Sequence, residues 1–322
     1  MERWSSTGAF LLAAIGSAVG IGNIWRFSTV LGQNGGGAYL IPYVIAVFVF
    51  AMPLMILEIT LGQKFRGTIV SAFRQINPRF VVIGWFLCAI VLLILSYYLV
   101  IAGWTLGYTM LTLAADAPPF SGFTTSLLPV VFFLITAVVT GLIVSTSVNK
   151  GIERISVILI PVCVIILITL AVYSVFLPGF HQAIEYLFTP DFSVLGDPLL
   201  WGAAFGQAFF SLSVGEGILL TYGTYMKSGD HIPRLALIIT ITDLFVAFLA
   251  GLVIFPIVFS FGLSPAAGAE LAFTSLPIAF AQMPGGKIIA IAFFAVLFFA
   301  ALTSAISMLE VGVAAVHESL GW

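Results

Sequence analysis

Two stretches of the sequence place glycines and small polar residues inside long apolar runs. Residues 16–23 read Gly-Ser-Ala-Val-Gly-Ile-Gly-Asn, and residues 210–217 read Phe-Ser-Leu-Ser-Val-Gly-Glu-Gly. Such a cluster is typical of a locally unwound helix, in which freed carbonyls coordinate a cation and freed N–H groups bind an anion. Spaced small residues alone more often indicate close helix packing. Asn23 and Arg26 belong to the same run, and packing does not explain them.

The elements that must position these stretches are membrane-spanning helices. Of the 322 residues, 61% are hydrophobic and 7% are charged, whereas a soluble domain carries roughly 25% charged residues. The apolar runs are long enough to cross a hydrocarbon core of about 30 Å, and they lack the alternation of barrel strands. The composition therefore predicts an all-α polytopic membrane protein in contact with lipid. No basic tract for nucleic acid is present.

Hydropathy predicts a single transmembrane domain over residues 1–322. Its eight predicted spans are residues 7–32, 38–66, 80–115, 126–147, 152–177, 198–226, 232–262 and 286–317. With the N-terminus in the cytoplasm, most basic residues fall on the inner side, namely Arg3, Lys64, Arg66, Arg74, Arg79, Lys150, Arg154, Lys227 and Arg234. The positive-inside rule therefore predicts an integral cytoplasmic-membrane protein with a cytoplasmic N-terminus.

The two interrupted spans are the first and the sixth, five helices apart. Interrupted spans at corresponding positions of two halves are the pattern of inverted repeats whose interface holds a transporter's central site. The pattern predicts a first five-helix repeat over residues 1–177 and an incomplete second repeat of three helices over residues 198–322.

The residues in and around these stretches closely resemble the neurotransmitter:sodium symporter family, in its prokaryotic branch. The matching segments are residues 16–27 (GSAVGIGNIWRF), 34–39 (NGGGAY), 53–58 (PLMILE), 97–98 (YY), 103–107 (GWTLG), 150–153 (KGIE), 206–213 (GQAFFSLS) and 300–304 (AALTS). The resemblance implies a LeuT-type inverted-repeat fold with unwound first and sixth helices. It also implies sodium-coupled symport of an amino acid by alternating access.

Members of this family normally have eleven or twelve spans, so a chain that ends after the eighth helix is expected to be C-terminally truncated. The alternative function is then a non-transporting fragment, or a ligand-binding sensor or accessory subunit. An enzyme is not expected, because His181, His231 and His317 lie in loops or at a span end and no catalytic motif is present. The sequence does not specify the oligomeric state.

The resemblance implies two bound sodium ions and no organic cofactor. The first site would be formed by the Ala18 carbonyl and by Asn23, Ser211 and Asp243, and completed by the substrate carboxylate. The second would be formed by the carbonyls of Gly16, Val19 and Ala300 and the hydroxyls of Thr303 and Ser304. Hydroxyls in a helix also bond back to their own backbone, which is the alternative role of the last two residues.

The positions that match the family's chloride ligands are Tyr43, Gln207, Ser211, Asp243 and Ala247. A fixed carboxylate at Asp243 would supply the negative charge that chloride otherwise brings, and Ala247 has no donor. Chloride-independent transport is therefore predicted. The alternative is a protonated or structurally paired Asp243.

The resemblance also implies a substrate pocket and a role for several of its residues. The pocket would be lined by Ser17, Gly20, Ile21, Gly22, Ile94, Tyr98, Phe210, Ser213, Glu216, Ser304 and Met308. Tyr98 would donate to the substrate carboxylate, Phe210 would act as a lid, and the unwound N–H groups near Gly20 would receive the carboxylate. Gly20 stands where the family's monoamine transporters have an aspartate, which favours an amino acid as substrate.

Glu216 stands where the family usually has an apolar or aromatic residue, and three roles remain open for it. It could pair with the cationic side chain of a lysine- or arginine-like substrate. It could bond to the freed N–H groups of the next half-helix. It could also be a proton-carrying carboxyl, because burying a charge is costly.

Further positions match the family's gates. Arg3, Trp4 and Glu318 match the cytoplasmic gate, for which two solvated end-of-helix charges are the alternative. Arg26 matches the outer gate, whose carboxylate partner would come from helices after the eighth. Glu58 and Gln207 are expected to brace the unwound sixth helix, and Glu310, within the eighth span, has no expected role.

Overall fold

Long apolar runs fold as helices because a chain in lipid must satisfy its backbone N–H and C=O groups internally. The computed structural model describes residues 3–115, 117–189, 191–227, 229–268 and 270–321. The helices begin with α1 (Thr7–Ala18), α2 (Gly22–Gln33), α3 (Gly37–Phe65), α4 (Ile69–Ile76), α5 (Pro78–Ala114), α6 (Phe120–Thr124) and α7 (Leu128–Val144). They continue with α8 (Asn149–Ser174), α9 (Phe180–Phe188), α10 (Pro198–Ser211), α11 (Ile218–Thr224), α12 (Ile232–Ser260), α13 (Leu271–Gln282) and α14 (Gly286–Leu320).

The predicted spans correspond to these helices, with two kinds of difference. Within the described residues, α3, α5, α8, α12 and α14 are long and apolar enough to cross a membrane, and α1 with α2 forms a further candidate bent by 51°. The fourth predicted span is the 17-residue helix α7. The sixth is divided into α10 and α11, because six residues between them are not helical.

Short helices lie in the two long segments between predicted spans, residues 178–197 and 263–285. Helix α9 lies within residues 178–197 and α13 within residues 263–285. Helix α9 buries Ala183 and Leu187, and α13 buries Leu276 and Phe280. Helices this short are marginal on propensity alone, so their packing against the longer helices stabilises them.

The core is built around α1 and around two close helix contacts. Helix α1 is enclosed by α8, α12 and α14, and α14 also packs along most of α5. Helix α11 lies against α3, where a Cβ atom added to Gly62 would stand 2.0 Å from the Leu220 carbonyl oxygen. A Cβ atom on Gly223 would likewise lie 2.5 Å from the Ile59 carbonyl oxygen. This contact therefore depends on glycine on both helices.

The interruptions of the first and sixth spans differ in backbone geometry. Helix α1 ends before Val19, which is extended with φ −74° and ψ 94°. Between α10 and α11, Ser213 has φ 51°, Gly215 has φ 92° and Gly217 has φ 73°. A positive φ suits glycine but is unfavourable for serine, so surrounding contacts must hold Ser213 in place.

Candidate functional site

The two interruptions are joined by a fully buried polar cluster. The Asn23 amide nitrogen donates to Ser211 Oγ at 2.9 Å and to Asp243 Oδ1 at 2.6 Å. Ser211 Oγ lies 3.0 and 2.9 Å from the two carboxylate oxygens of Asp243. Asn23 Oδ1 accepts from the Gly20 N–H at 3.0 Å, which ties the cluster to the break after α1. The cluster therefore links α2, α10 and α12 at the level of both breaks.

This cluster contains most of the residues predicted for the first sodium site. Asn23 and Asp243 are 0% exposed and Ser211 is 1% exposed. Ala18, the last residue of α1, is also buried and lines the adjoining cavity. Carboxylate and hydroxyl oxygens at the end of a half-helix suit a hard cation such as sodium, and the Asn23 oxygen would join them if its amide turned away from the Gly20 N–H. The donor set therefore fits the ion, and bound sodium would supply the positive charge opposite Asp243.

The residues predicted for the second sodium site meet between α1 and α14. The Ser304 hydroxyl is 3.1 Å from the Ser17 carbonyl oxygen, 3.5 Å from that of Gly16 and 3.2 Å from that of Ala300. A Cβ atom on Gly16 would stand 3.3 Å from Thr303 Cβ, so the two helices touch here.

The hydrogen bonds of Thr303 and Val19 are made within α14 and at the end of α1, rather than between the two helices. The Thr303 hydroxyl donates to the carbonyls of Phe299 and Ala300 in its own helix, at 3.2 and 3.0 Å. A hydroxyl bonded to its own helix backbone is the alternative that the sequence left open for Thr303. Val19 is 1% exposed at the end of α1, and its N–H donates to the Ile15 carbonyl. Ser304 is thus the residue that bridges the two helices.

A central cavity lies between the two breaks. Its lining residues are Ser17, Ala18, Gly20, Gly22, Tyr98, Phe210, Ser213, Glu216, Ser304 and Met308. The volume open to the centre of a water molecule is only about 10 Å³, so the surrounding side chains nearly fill it. Of the predicted substrate residues, Ile21 and Ile94 lie elsewhere: Ile21 lines an outer cavity and Ile94 a lateral one.

Close contacts hold the walls of the central cavity together. The Ile21 N–H donates to the Tyr98 hydroxyl at 3.4 Å. A Cβ atom on Gly20 would stand 2.7 Å from Ser304 Oγ and 2.9 Å from the Tyr98 hydroxyl. The Ser17 hydroxyl is buried without a hydrogen-bond partner among the described residues, so it remains available to a ligand.

Two carboxylates stand at the second break in different environments. Glu58 Oε1 accepts from the Gly215 N–H at 2.6 Å, so Glu58 braces the break as expected. Gln207 instead braces the first break, because its amide nitrogen donates to the Gly22 carbonyl at 2.9 Å. Glu216 Oε2 is buried and has no hydrogen-bond partner in the described part of the chain.

The outer side of the cavity is covered by Phe210 and Arg26. Phe210 lines both the central cavity and an outer cavity of about 280 Å³. The Arg26 guanidinium lies 4.9 Å from the centre of the Phe210 ring and donates to Gln207 Oε1. A cation over an aromatic face is stabilising, particularly away from water. Phe210 therefore separates the two cavities and is contacted by Arg26, while its role as a lid and that of Arg26 as the outer gate stay predictions.

The inner side carries a second set of contacts. Trp4 is 2% exposed, and its indole N–H donates to the Tyr222 carbonyl at 2.9 Å. The Glu318 carboxylate accepts hydrogen bonds from the backbone N–H and hydroxyl of Thr68, while Arg3 is exposed. The gate role of Arg3 and Glu318 therefore stays a prediction.

Sequence reasoning missed one polar contact on this side. The Tyr225 hydroxyl donates to Glu310 at 2.6 Å. Glu310 is 6% exposed and lines an inner cavity of about 600 Å³. A carboxylate within an apolar span was the available signal, but the sequence alone did not indicate the partner.

Comparison with known proteins matches this arrangement to one family. The family model described as "Sodium:neurotransmitter symporter family" matches residues 1–121 and 120–321. The chain belongs to this symporter family. Its members are sodium-coupled transporters rather than enzymes, and the chain is an integral membrane protein of that class.

Symporter relatives with similar sequences come from bacteria, archaea and animals. An uncharacterised sodium-dependent transporter of Bacillus subtilis, YhdH, is 37% identical over 98% of this chain and 72% of its own length. A sodium-dependent transporter of Methanocaldococcus jannaschii, MJ1319, is 34% identical over 98% of the chain and 70% of its own length. The mouse sodium-dependent neutral amino acid transporter B(0)AT2 is 29% identical over 79% of the chain and 40% of its own length.

A solved structure shows the same fold. The crystal structure of MhsT in complex with L-phenylalanine is 42% identical and superposes with a TM-score of 0.92, covering 100% of this chain and 76% of MhsT. The expectation of a LeuT-type fold with unwound first and sixth helices is thereby confirmed.

Proposed function

We propose that this symporter carries an amino acid together with sodium by alternating access, without a requirement for chloride. The observation that carries the proposal is the buried cluster of Asn23, Ser211 and Asp243. It joins both helix breaks beside the central cavity. An uncompensated carboxylate at 0% exposure would be costly, so a cation bound beside Asp243 offsets its burial.

Sodium couples to the substrate through the geometry of the two breaks. At the first site, a substrate carboxylate would complete the coordination of the ion. At the second, sodium would join the carbonyls at the end of α1 to the hydroxyl of Ser304 on α14. The bundle of the first, second, sixth and seventh spans then rocks against a scaffold that includes the third, fourth and eighth. Ligands that bridge bundle and scaffold favour the closed state, because a ligand shifts an equilibrium by its differential affinity.

An amino acid suits the central cavity better than an amine without a carboxylate. The freed N–H groups at the start of α2 and the Tyr98 hydroxyl provide donors for a carboxylate. Gly20 leaves no acidic side chain there for a bare amine, and the neighbouring oxygens at 2.7 and 2.9 Å from its added Cβ leave no room for one. MhsT in complex with L-phenylalanine supports this substrate class.

The proposal predicts sodium-dependent binding and uptake. The purified chain would be tested by thermal shift against the twenty amino acids in sodium and in choline buffer, and then by uptake of the stabilising amino acids into proteoliposomes. We expect stabilisation by a subset in sodium only, uptake driven by a sodium gradient, and equal rates in chloride and gluconate. Stabilisation by no amino acid would contradict the proposal. Binding without uptake would instead support a ligand-binding sensor or accessory subunit.

One substitution and one control test whether the sodium dependence comes from the buried cluster. Ser211→Ala removes a hydroxyl that contacts both Asn23 and Asp243, so sodium dependence should shift to higher concentrations. Glu185→Gln changes an exposed acid on α9 and should leave sodium dependence unchanged.

A further inference from the structure

Glu216 is the feature of the central cavity that the general transport mechanism does not use. Among the described residues that line this cavity, it is the only one with an acidic or basic side chain. Its Oε2 atom is buried, and no residue in the described part of the chain forms a hydrogen bond to it. A buried carboxylate oxygen without a partner loses the hydration that it had in water, so a bound cationic group there would be stabilised.

A bracing role for Glu216 is not supported by the contacts at the second break. The Gly215 N–H, which the break frees, donates to Glu58 at 2.6 Å. Glu58 therefore already fulfils the bracing role, and its other oxygen is also buried without a hydrogen-bond partner among the described residues. Glu58 and Glu216 are close enough to interact electrostatically, so the second break brings two acidic side chains together. Arg26, the cation of this region, is already held by Gln207 and by the face of Phe210.

Glu216 also lies where two cavities meet. It lines both the nearly filled central cavity and a lateral cavity in which about 300 Å³ is open to the centre of a water molecule. The other residues of the lateral cavity are Gly215 and a set of apolar residues from α5 and the α10–α11 segment: Leu87, Ile90, Val91, Ile94, Phe209, Phe210 and Val214. An apolar cavity with a single carboxylate at its edge fits a side chain with a methylene stem and a cationic end.

We infer that Glu216 selects amino acids whose side chains end in an ammonium or guanidinium group, and that the stem of that side chain lies in the lateral cavity. The inference rests on the proposed function, because the backbone of the same substrate would occupy the central cavity. Glu216 acts as a specificity-determining residue and takes no part in binding sodium. The carboxylate contributes to affinity only when the ligand carries a charge that it can pair with.

Pairs of ligands that differ in charge but little in shape test this inference. Lysine would be compared with norleucine, and arginine with citrulline, in sodium-dependent binding to the whole purified chain. We expect the cationic member of each pair to bind about 10- to 100-fold more tightly, as hydrogen bonds to charged groups imply. Glu216→Gln, which keeps the shape, should remove that difference while leaving norleucine affinity within about twofold. Glu185→Gln, an exposed acid, should preserve the difference.

The outcomes separate this inference from the proposed function. Sodium-dependent binding of neutral amino acids with no preference for lysine or arginine would overturn the inference and leave symport intact. A charge preference that persists in Glu216→Gln would also overturn it. Binding of no amino acid in sodium would overturn both. If Glu216→Gln is too unstable to purify, Glu216→Met replaces it, and wild-type discrimination between lysine and norleucine still decides the substrate class.

A variant of the lateral cavity tests where the stem lies. Ile94→Phe adds bulk to the cavity wall while the carboxylate stays in place. We expect lysine affinity to fall at least about fivefold and alanine affinity to remain unchanged, because a short side chain does not reach the lateral cavity. Equal losses for lysine and alanine would place the stem elsewhere and contradict that part of the inference.

Discussion

Replacing Asp243 by asparagine removes one negative charge from the buried cluster without changing the shape of the side chain. Asp243 Oδ1 accepts from Asn23 at 2.6 Å, and both carboxylate oxygens lie within 3.0 Å of Ser211 Oγ. An asparagine would keep its oxygen toward the Asn23 amide and turn its NH₂ group toward Ser211, which can accept. The hydrogen bonds survive in number but lose their charge, while the desolvation cost of a buried carboxylate is removed, so the folding stability without sodium should change by less than about 2 kcal/mol.

The larger effect should appear in ion binding. Two unit charges about 4 Å apart interact by about 4 kcal/mol at an effective dielectric constant of 20. Part of that energy offsets the desolvation of Asp243, so the measured loss will be smaller. We expect the sodium concentration for half-maximal binding to rise at least about tenfold in chloride-free buffer, which corresponds to about 1.4 kcal/mol.

Chloride should restore part of the lost affinity in this variant. Tyr43 is fully buried and close enough to Asp243 to interact with it electrostatically, and its hydroxyl makes no hydrogen bond of standard geometry to a described residue. That hydroxyl and Ser211 are donors for an anion once the carboxylate is neutral. Adding Ala247→Ser, one turn along α12, supplies a further hydroxyl and should strengthen the response to chloride.

The assay is a sodium titration of amino-acid binding in sodium chloride and in sodium gluconate. The wild-type protein should give the same curve in both salts, and Asp243→Asn should give a curve shifted to higher sodium in gluconate and partly recovered in chloride. Glu185→Gln serves as the exposed control. If Asp243→Asn binds sodium equally well in both salts, the fixed charge of Asp243 does not replace chloride and the account of this site is wrong.

Three further substitutions test the walls of the site and the helix contact beneath it. Tyr98→Phe should weaken substrate binding about tenfold at saturating sodium and leave stabilisation by sodium alone unchanged, since only the substrate needs that donor. Glu58→Gln should lower the free energy of unfolding by about 1–2 kcal/mol, seen as a lower melting temperature, because the bond that braces the second break loses its charge. Gly62→Ala should destabilise by about 1–3 kcal/mol, because its Cβ would stand 2.0 Å from the Leu220 carbonyl oxygen. Gly141→Ala, on α7 with open space around an added Cβ, is its control and should match or exceed wild-type stability; equal effects of the two substitutions would contradict the close contact.

Much of the site was predictable because its signals are local. Glycine clusters with polar neighbours indicate where a helix opens, and both predicted breaks are present in the structure. The residue types also indicated the kind of ligand, since Asn23 and Ser211 at the breaks and Asp243 in the seventh span offer oxygens at membrane depth. The structure brings these three together, but their binding of sodium stays a prediction.

Other parts of the site depended on which residues become neighbours in space. Arg26 pairs with Gln207, 181 positions away, and no local pattern indicates that contact. Three roles stayed open for Glu216 in the sequence, and only the structure shows that the Gly215 N–H beside it donates to Glu58 instead. Ile94 was predicted in the central cavity but lines the lateral one, between α5 and the α10–α11 segment.

The sequence by itself determined the all-helical membrane class, the family and the positions of the two breaks. These follow from composition and from short segments, because a chain in lipid has few ways to satisfy its backbone and glycine marks where it opens. Tertiary structure decided the partners of the charged residues, the closure of the central cavity under Phe210 and the short helices α9 and α13. Those depend on packing between segments distant in the chain, where burial and hydrogen bonding outweigh local preference.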